Sequence, residues 1–290
     1  MGTVWLNGRF VDKSNAVVSV FDRGFLYGDG VFETMRSYDG AVFALSDHLR
    51  RFFTAARVVS IRVPYTKNEI KRVVYRALKK NGLKSAYVRL SLSRGPKKPG
   101  FPIDPKAKPT IVLIAEDFKP YPAKFYEEGQ RCKIVAVKRA AHSILSVIKS
   151  SNYLASVLAR IEATDAGFDE GILLNTDGNV CECSTSNIFI CRGRSVVTPA
   201  IASGALPGVT RENLLKIMNR LRIRRSIRNI RPEELKASDE VFITNSSIEV
   251  APVTFVDTKK IGSGRPGPIT KLLHEEYKNL VRTYIAKHSK

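Results

Sequence analysis

Lys149 and Glu182 are two side chains in the second half of the sequence whose types could do chemistry as a pair. A lysine amine can bond to a carbonyl carbon or carry a proton, and a carboxylate can keep a facing cation charged. Taken alone, one lysine among 48 basic residues also reads as a solvated surface charge. Segment 148–189, however, sets the two in an ordered frame. Tyr153, Leu154, Val157, Leu158 and Ile161 recur at helical spacing, which predicts a helix with one buried face soon after the lysine. Gly167 can take the positive φ that ends such a helix. Asp177-Gly178, between 171–175 and 180–184, predicts a tight hairpin with Glu182 in its second strand. Short connections can therefore bring the amine and the carboxylate together.

The chain that must position them has 290 residues, 43% of them hydrophobic, enough for one large or two medium cores and for order throughout. No apolar run approaches the length that crosses a bilayer, and the start MGTVWLNGRFVDKS lacks the regions of a secretion signal. Leu6 breaks the myristoylation pattern. A cytoplasmic protein is expected. Cys132, Cys181, Cys183 and Cys191 form no metal-type spacing with one another or with a nearby histidine, so core thiols and no metal are expected. The formal net charge is +21. Stretch 220–231, RLRIRRSIRNIR, could be an electrostatic footprint for nucleic acid or another anionic surface. Leu221, Ile223, Ile227 and Ile230 interrupt it at spacings suited to a helix end followed by a strand, which leaves the arginines as a solvated face. No RNA-recognition, zinc-finger or basic-zipper signature accompanies them, and nucleic acid is not an expected partner.

Along the chain, Asn7-Gly8 predicts a hairpin within 4–11, and 17–21 is expected to continue the sheet. Gly24, Gly28 and Gly30 punctuate a loop before a strand at 31–38, and Asp39-Gly40 turns the chain back. That cluster has neither the Lys-Ser/Thr end of a P-loop nor the third glycine of a dinucleotide motif. Ser46 is placed to cap a helix with Leu49, Phe52, Phe53 and Ala56 as its buried face and His48, Arg50 and Arg51 along it. Thr66 and Glu69 read as a capping box for a helix ending at Asn81-Gly82. Residues 85–93 alternate as a strand that puts Tyr87 and Arg89 on one face, where Arg89 could make a cross-strand salt bridge. The loop 94–109 is long enough for a pocket rim. A buried strand at 110–115 follows, and 116–130 loses periodicity and marks a domain boundary. Thr210 is expected to cap a helix carrying Leu214, Leu215, Ile217 and Met218, whose free N–H groups suit a phosphate. An amphipathic helix over 269–286 closes the pattern.

The ordered string that starts at Lys149 is Lys-Ser-x-Asn-Tyr-Leu, a helix, Asp-Glu-Gly-Ile-Leu-Leu-Asn, a turn, Glu182, and then Asn187-Ile188-Phe189. It resembles the class IV pyridoxal-phosphate aminotransferases, which include branched-chain aminotransferases, D-amino-acid aminotransferases and aminodeoxychorismate lyases. The likeness spans residues 3–255. It implies a mixed α/β fold: a smaller N-terminal domain (1–118), a linker (119–131) and a larger barrel-like C-terminal domain (132–290), with pyridoxal 5'-phosphate in the cleft. By the same resemblance Lys149 bonds the cofactor and moves the substrate's α-proton, Glu182 faces the ring nitrogen and Tyr153 the phenolic oxygen. The His-x-x-Arg pattern puts the phosphate arginine at Arg51, whose planar fork suits phosphate oxygens. The Leu-Pro-Gly-Val-Thr-Arg string gives Val209 and Thr210 to the phosphate and Leu206 to the ring. The segment 240–253 gives Ser246 to the phosphate and the Ser247 backbone to the substrate carboxylate. Tyr27 and Phe32 correspond to aromatic residues of the substrate pocket, and Tyr87-x-Arg89 to the strand that orders it.

Within that family, D-amino-acid members carry a further Arg-x-His after the Arg-Gly step, and residues 96–101 hold no histidine. Lyase members keep a Gly-aromatic pair, matched by Gly100-Phe101. The largely apolar Tyr27 and Phe32, with Tyr87 and Arg89, tilt the reading to Leu, Ile and Val as amino donors and 2-oxoglutarate as acceptor. The lyase and the D-amino-acid aminotransferase remain alternatives on the same fold, and a basic nucleic-acid-binding protein is the non-enzymatic one. Ser150-Ser151 stands where some branched-chain enzymes have Ala or Gly. A homodimer or higher homo-oligomer is also implied.

Overall fold

Asn7 and Gly8, at φ 48° and 96°, close a hairpin of β1 (Thr3–Leu6) and β2 (Arg9–Asp12), as the Asn-Gly pair requires. The computed structural model describes residues 2–104 and 106–288; Pro105, in the loop expected at 94–109, lies outside them. The chain separates into two compact units: Met1–Lys119 with Ile148–Tyr153 and Thr283–Lys290, and Pro120–Val147 with Leu154–Arg282.

The first unit continues with α1 (Arg23–Tyr27), β3 (Gly30–Tyr38), β4 (Ala41–Val42), α2 (Leu45–Val58), α3 (Lys67–Lys80), β5 (Ala86–Ser93) and β6 (Thr110–Asp117). Its six strands form an antiparallel sheet in the order β2-β1-β6-β5-β3-β4. One face of that sheet meets α2 and α3 through a core that includes Met35, Phe52, Ile70 and Leu90. The Thr66–Glu69 capping box opens α3 as expected. Two local expectations fail. Residues 17–20 form no strand and leave Val17 and Val20 exposed. The cap of α2 is Ala44, at φ 51°, and Ser46 falls inside the first turn because buried Leu45 already belongs to the helix. Segment Ile148–Tyr153 joins this unit, whereas the division expected from the sequence places it with 132–290. Its backbone is stitched to β3: the Phe32 N–H donates to the Lys149 carbonyl at 2.9 Å and the Ser151 N–H to the Gly30 carbonyl at 2.9 Å.

The second unit holds α4 (Ala123–Glu128), β7 (Gln130–Arg139), α5 (Ile144–Val147), α6 (Leu154–Asp165), β8 (Glu170–Asn175), β9 (Val180–Cys183), β10 (Asn187–Arg192), β11 (Ser195–Thr198), α7 (Val209–Arg220), β12 (Arg224–Ile227), α8 (Pro232–Lys236), β13 (Glu240–Asn245), β14 (Glu249–Val256), β15 (Lys259–Lys260) and most of α9 (Pro268–His288). The sheet runs β12-β11-β10-β13-β14-β7-β8-β9, with β15 on β14. Helix α6 corrects the sequence reading of its faces. Its buried residues are Ser156, Ala159 and Ala163, packed with Val135 and Leu173, while Leu154, Val157, Leu158 and Ile161 are 69%, 46%, 45% and 48% exposed. The helix lies too close to β8 for large side chains: a Cβ at Gly171 would sit 2.6 Å from the Ala159 carbonyl oxygen. The four cysteines are free and buried, and burial pushes their thiols up. Among the described residues no helix is long and apolar enough to cross a membrane.

Candidate active site

In the first unit, the backbone bond to β3 sets Lys149 against the aromatic side chain of Phe32. The amine lies 4.7 Å from the Phe32 ring centre and 5.7 Å from that of Tyr153, and the two rings meet edge to face at 5.3 Å. Arg89 comes from β5 directly opposite Thr34, on the same sheet face as Phe32. Its guanidinium carbon is 3.9 Å from the Phe32 ring centre, and its Nε donates to Ser91 Oγ at 3.2 Å. Arg89 thus makes a cation–π contact, and no cross-strand salt bridge of it occurs among the described residues. Tyr87, on the same face, has its hydroxyl 3.4 Å from Thr34 Oγ1. Four expected residues, Lys149, Tyr153, Phe32 and Arg89, therefore form one cluster.

On the opposite face of β3 stands a residue the sequence analysis missed. Glu33 is fully buried and receives the Arg51 guanidinium as a fork, Nε to Oε1 and Nη2 to Oε2, both at 2.7 Å, with His48 Nδ1 2.8 Å from Oε2. Burial alone would raise the Glu33 carboxyl, but the Arg51 charge and the Arg51 and His48 hydrogen bonds outweigh it and hold the group at about 2. Burial lowers the His48 imidazole, partly offset by Glu33; a neutral ring donates from Nδ1–H. A lone Glu between Phe32 and Thr34 in an alternating strand gives no signal of this role.

Tyr27 is engaged with the following loop. Its hydroxyl accepts the Gly100 N–H at 2.9 Å while Arg23 Nη1 donates to the Gly100 carbonyl at 2.7 Å. Phe101, 82% exposed, stacks on the Tyr27 ring with centroids 5.6 Å apart.

In the second unit, Glu182 is buried in β9 with partners on both oxygens. Oε1 faces Arg139 Nη1 at 2.9 Å, and Oε2 accepts the Leu206 N–H at 2.8 Å and Asn187 Nδ2 at 3.4 Å. Leu206 therefore binds the acid through its backbone, and Asn187 Nδ2 also donates to the Leu206 carbonyl at 2.8 Å. Gly208 is required by this arrangement, since a Cβ there would lie 2.0 Å from Asn187 Oδ1. Arg139, also unforeseen, donates from Nη2 to the Ser146 carbonyl, and its buried Nε has no partner among the described residues. Thr244 lies directly across from Asn187 on β13 and buries a hydroxyl that has no partner among them either.

The cap of α7 is Gly208, so Thr210 stands in the first turn, buried, with Oγ1 3.5 Å from the Tyr277 hydroxyl. Val209 and Thr210 still supply the free backbone N–H groups of a helix start. Buried Arg211 is spent internally on Glu212 and the Pro199 carbonyl. Ser246 and Ser247 are half-buried in the β13–β14 turn. The Ser247 N–H donates to Asn245 Oδ1 at 2.8 Å, so the backbone donor expected for a substrate carboxylate is already engaged. Each unit thus presents a cluster that could serve amine chemistry: a lysine against aromatic walls in one, and in the other a buried acid, with the start of α7, which has no side-chain cap among the described residues, later in the same unit.

Residues 30–256 match the family described as amino-transferase class IV. The chain is 41% identical to a protein of Methanocaldococcus jannaschii provisionally named a branched-chain-amino-acid aminotransferase, over 96% of each chain. It is 34% identical to the aminodeoxychorismate lyase of Bacillus subtilis, over 97% of this chain and 96% of the other. The crystal structure of the Escherichia coli branched-chain amino acid aminotransferase superposes with a TM-score of 0.93 at 31% identity, covering 97% of this chain and 94% of that one. A branched-chain amino acid aminotransferase solved with pyridoxamine 5'-phosphate superposes with a TM-score of 0.92, at the same identity and coverage.

Proposed function

Because the chain belongs to the class IV amino-transferases, enzymes that use pyridoxal phosphate, we propose that it moves the amino group of Leu, Ile or Val to 2-oxoglutarate. The residues present fit the cofactor. The buried Arg139 Nε and Thr244 Oγ1 are polar atoms without a partner among the described residues, Arg139 paired with Glu182 and Thr244 directly across from Asn187, which also donates to Glu182. The start of α7 offers amides to a phosphate.

When bound, the cofactor supplies an electron sink for the bond broken at the substrate's α-carbon. The protein supplies position and charge. Lys149 is assigned the covalent attachment and the transfer of the α-proton through its Nζ. Glu182 is assigned the ring nitrogen, which its charge would keep protonated, and Arg139, Asn187 and the Leu206 amide hold the carboxylate in place. Tyr153 stands beside the amine and is assigned the phenolic oxygen. Arg51, the Val209 and Thr210 amides and Ser246 are assigned the phosphate, and the Leu206 side chain would be assigned the ring.

The observation that carries the substrate reading is the placing of the Lys149 amine against the rings of Phe32 and Tyr153. Such walls favour an apolar side chain over a charged one. Arg89 and Tyr87 order that wall, and Tyr27 with its stacked Phe101 forms the rim. The Gly100-Phe101 pair, whose Phe101 stacks on Tyr27, favours the lyase as the second reading. A homodimer is part of the proposal, supported by the exposed apolar stripe of α6. Steady-state assays with Leu, Ile, Val, D-Ala and aminodeoxychorismate test it: the L-branched donors should turn over with 2-oxoglutarate at least tenfold faster than D-Ala. Pyruvate release from aminodeoxychorismate as the dominant reaction would replace it with the lyase.

A further inference from the structure

The proposed transamination makes no use of the chain's net charge of +21, and the fold concentrates part of that charge at one corner of the nine-stranded sheet. Strand β12 is the sheet's edge and all four of its residues, Arg224, Arg225, Ser226 and Ile227, are exposed. It runs parallel to β11 with Arg224 level with Ser195, and Ser195 is level with Arg192 on β10. Arg192, Ser195 and Arg224 therefore form one row on one face across three strands, about 10 Å from end to end. Arg225 projects to the opposite face beside that row. The β10–β11 turn brings Arg194 to the same end, and Arg222, at φ 54° in the turn that enters β12, arrives there too. The topology thus gathers Arg192, Arg194, Arg222, Arg224 and Arg225 at one corner, all exposed.

None of the five forms an ion pair among the described residues. The neighbouring acids are otherwise engaged: Glu234 holds Arg228 and also feels the charge of Arg192, and the Asp239 carboxylate accepts the Gly193 N–H. Arg220 and Arg228, which flank the corner, do have acidic partners. At this end of the sheet the charge of the five arginines is thus left without an ion pair among the described residues.

We propose that this corner binds the sugar-phosphate backbone of duplex nucleic acid, without regard to base sequence. Guanidinium forks pair with phosphate oxygens and remain charged at any relevant pH. A duplex carries a charge about every 1.7 Å of its axis, so an array about 10 Å wide faces several phosphates at once. A small free anion would engage only one or two of the arginines. An anionic membrane surface is the poorer partner because peripheral binding also draws on apolar side chains buried at the interface, and exposed Ile227 is the one large apolar residue on β12. Protection of a sheet edge by charge is the competing account of the same residues.

The test compares two triple variants of the full-length enzyme with equal charge loss: Arg222→Gln/Arg224→Gln/Arg225→Gln at the corner, and Lys71→Gln/Arg72→Gln/Lys79→Gln on exposed positions of α3. Binding to a fluorescein-labelled duplex of about twenty base pairs is followed by anisotropy across a salt series. The corner variant should lose at least about tenfold in affinity, and its log affinity against log salt should flatten by about two to three. The α3 variant should change less than about threefold. Equal losses in both variants would assign binding to bulk charge and overturn the proposal. So would an unchanged corner variant, a corner variant that only aggregates, or binding to phosphatidylserine vesicles in preference to the duplex. Unchanged thermal midpoints and leucine turnover in both variants keep the readout separate from folding and from the proposed reaction.

Discussion

Glu33 decides what Arg51 can offer a ligand. With Nε and Nη2 held by the carboxylate at 2.7 Å, the guanidinium plane is fixed before any phosphate arrives, and less side-chain entropy is lost on binding. Glu33→Gln should keep one acceptor and lose the charge, weakening pyridoxal phosphate about tenfold in an absorbance titration of the apoenzyme. Arg51→Ala should weaken it further; equal affinity for wild type and both variants would remove Arg51 from the phosphate site. The same carboxylate gives stability an acid limit. Its folded-state value of about 2 lies below the ordinary 4.5, so its contribution is complete above pH 4.5 and is lost as pH falls from there through 2. Roughly 3 kcal/mol is at stake. His48, also lowered, adds a loss that begins as pH falls below 6.5. Urea unfolding between pH 6 and pH 3 should therefore show stability falling in wild type and falling less steeply in Glu33→Gln.

At the scale of elements, local chemistry is legible in the sequence where it acts within a few residues. The Asn7-Gly8 and Asp39-Gly40 turns and the Thr66–Glu69 box need only their own side chains. Thr66→Ala should remove the cap of α3 and cost about 1 kcal/mol, seen as a lower thermal midpoint with cofactor affinity unchanged. What the sequence does not reveal depends on distant partners. Helix α6 carries a stripe of large apolar residues and a stripe of small ones, and periodicity cannot say which faces inward. Gly171 of β8 settles it, because close approach there admits only small residues such as Ala159. Glu33 and Arg139 escape notice for the same reason: each gains meaning from a partner on another element, His48 and Arg51 on α2 or Glu182 on β9. The placement of Ile148–Tyr153 with the first unit rests on bonds to β3, more than a hundred residues earlier in the chain. The family string around Lys149 and Glu182 is legible because its members are close in sequence.

For the whole molecule, the exposed stripe Leu154, Val157, Leu158 and Ile161 is apolar surface of a kind that association covers. Light scattering should return the mass of a dimer or larger assembly, and Leu158→Glu with Ile161→Glu should shift it toward the 32.3 kDa chain; a wild-type monomer would remove the dimer from the account. The central claim, that the family's chemistry is carried by one lysine of this chain, has a more direct test. Borohydride reduction of the yellow holoenzyme, digestion and mass spectrometry should find the phosphopyridoxyl group on Lys149, with no label there in Lys149→Ala. Label on a different lysine, or holoenzyme turnover preserved in Lys149→Ala, would contradict it.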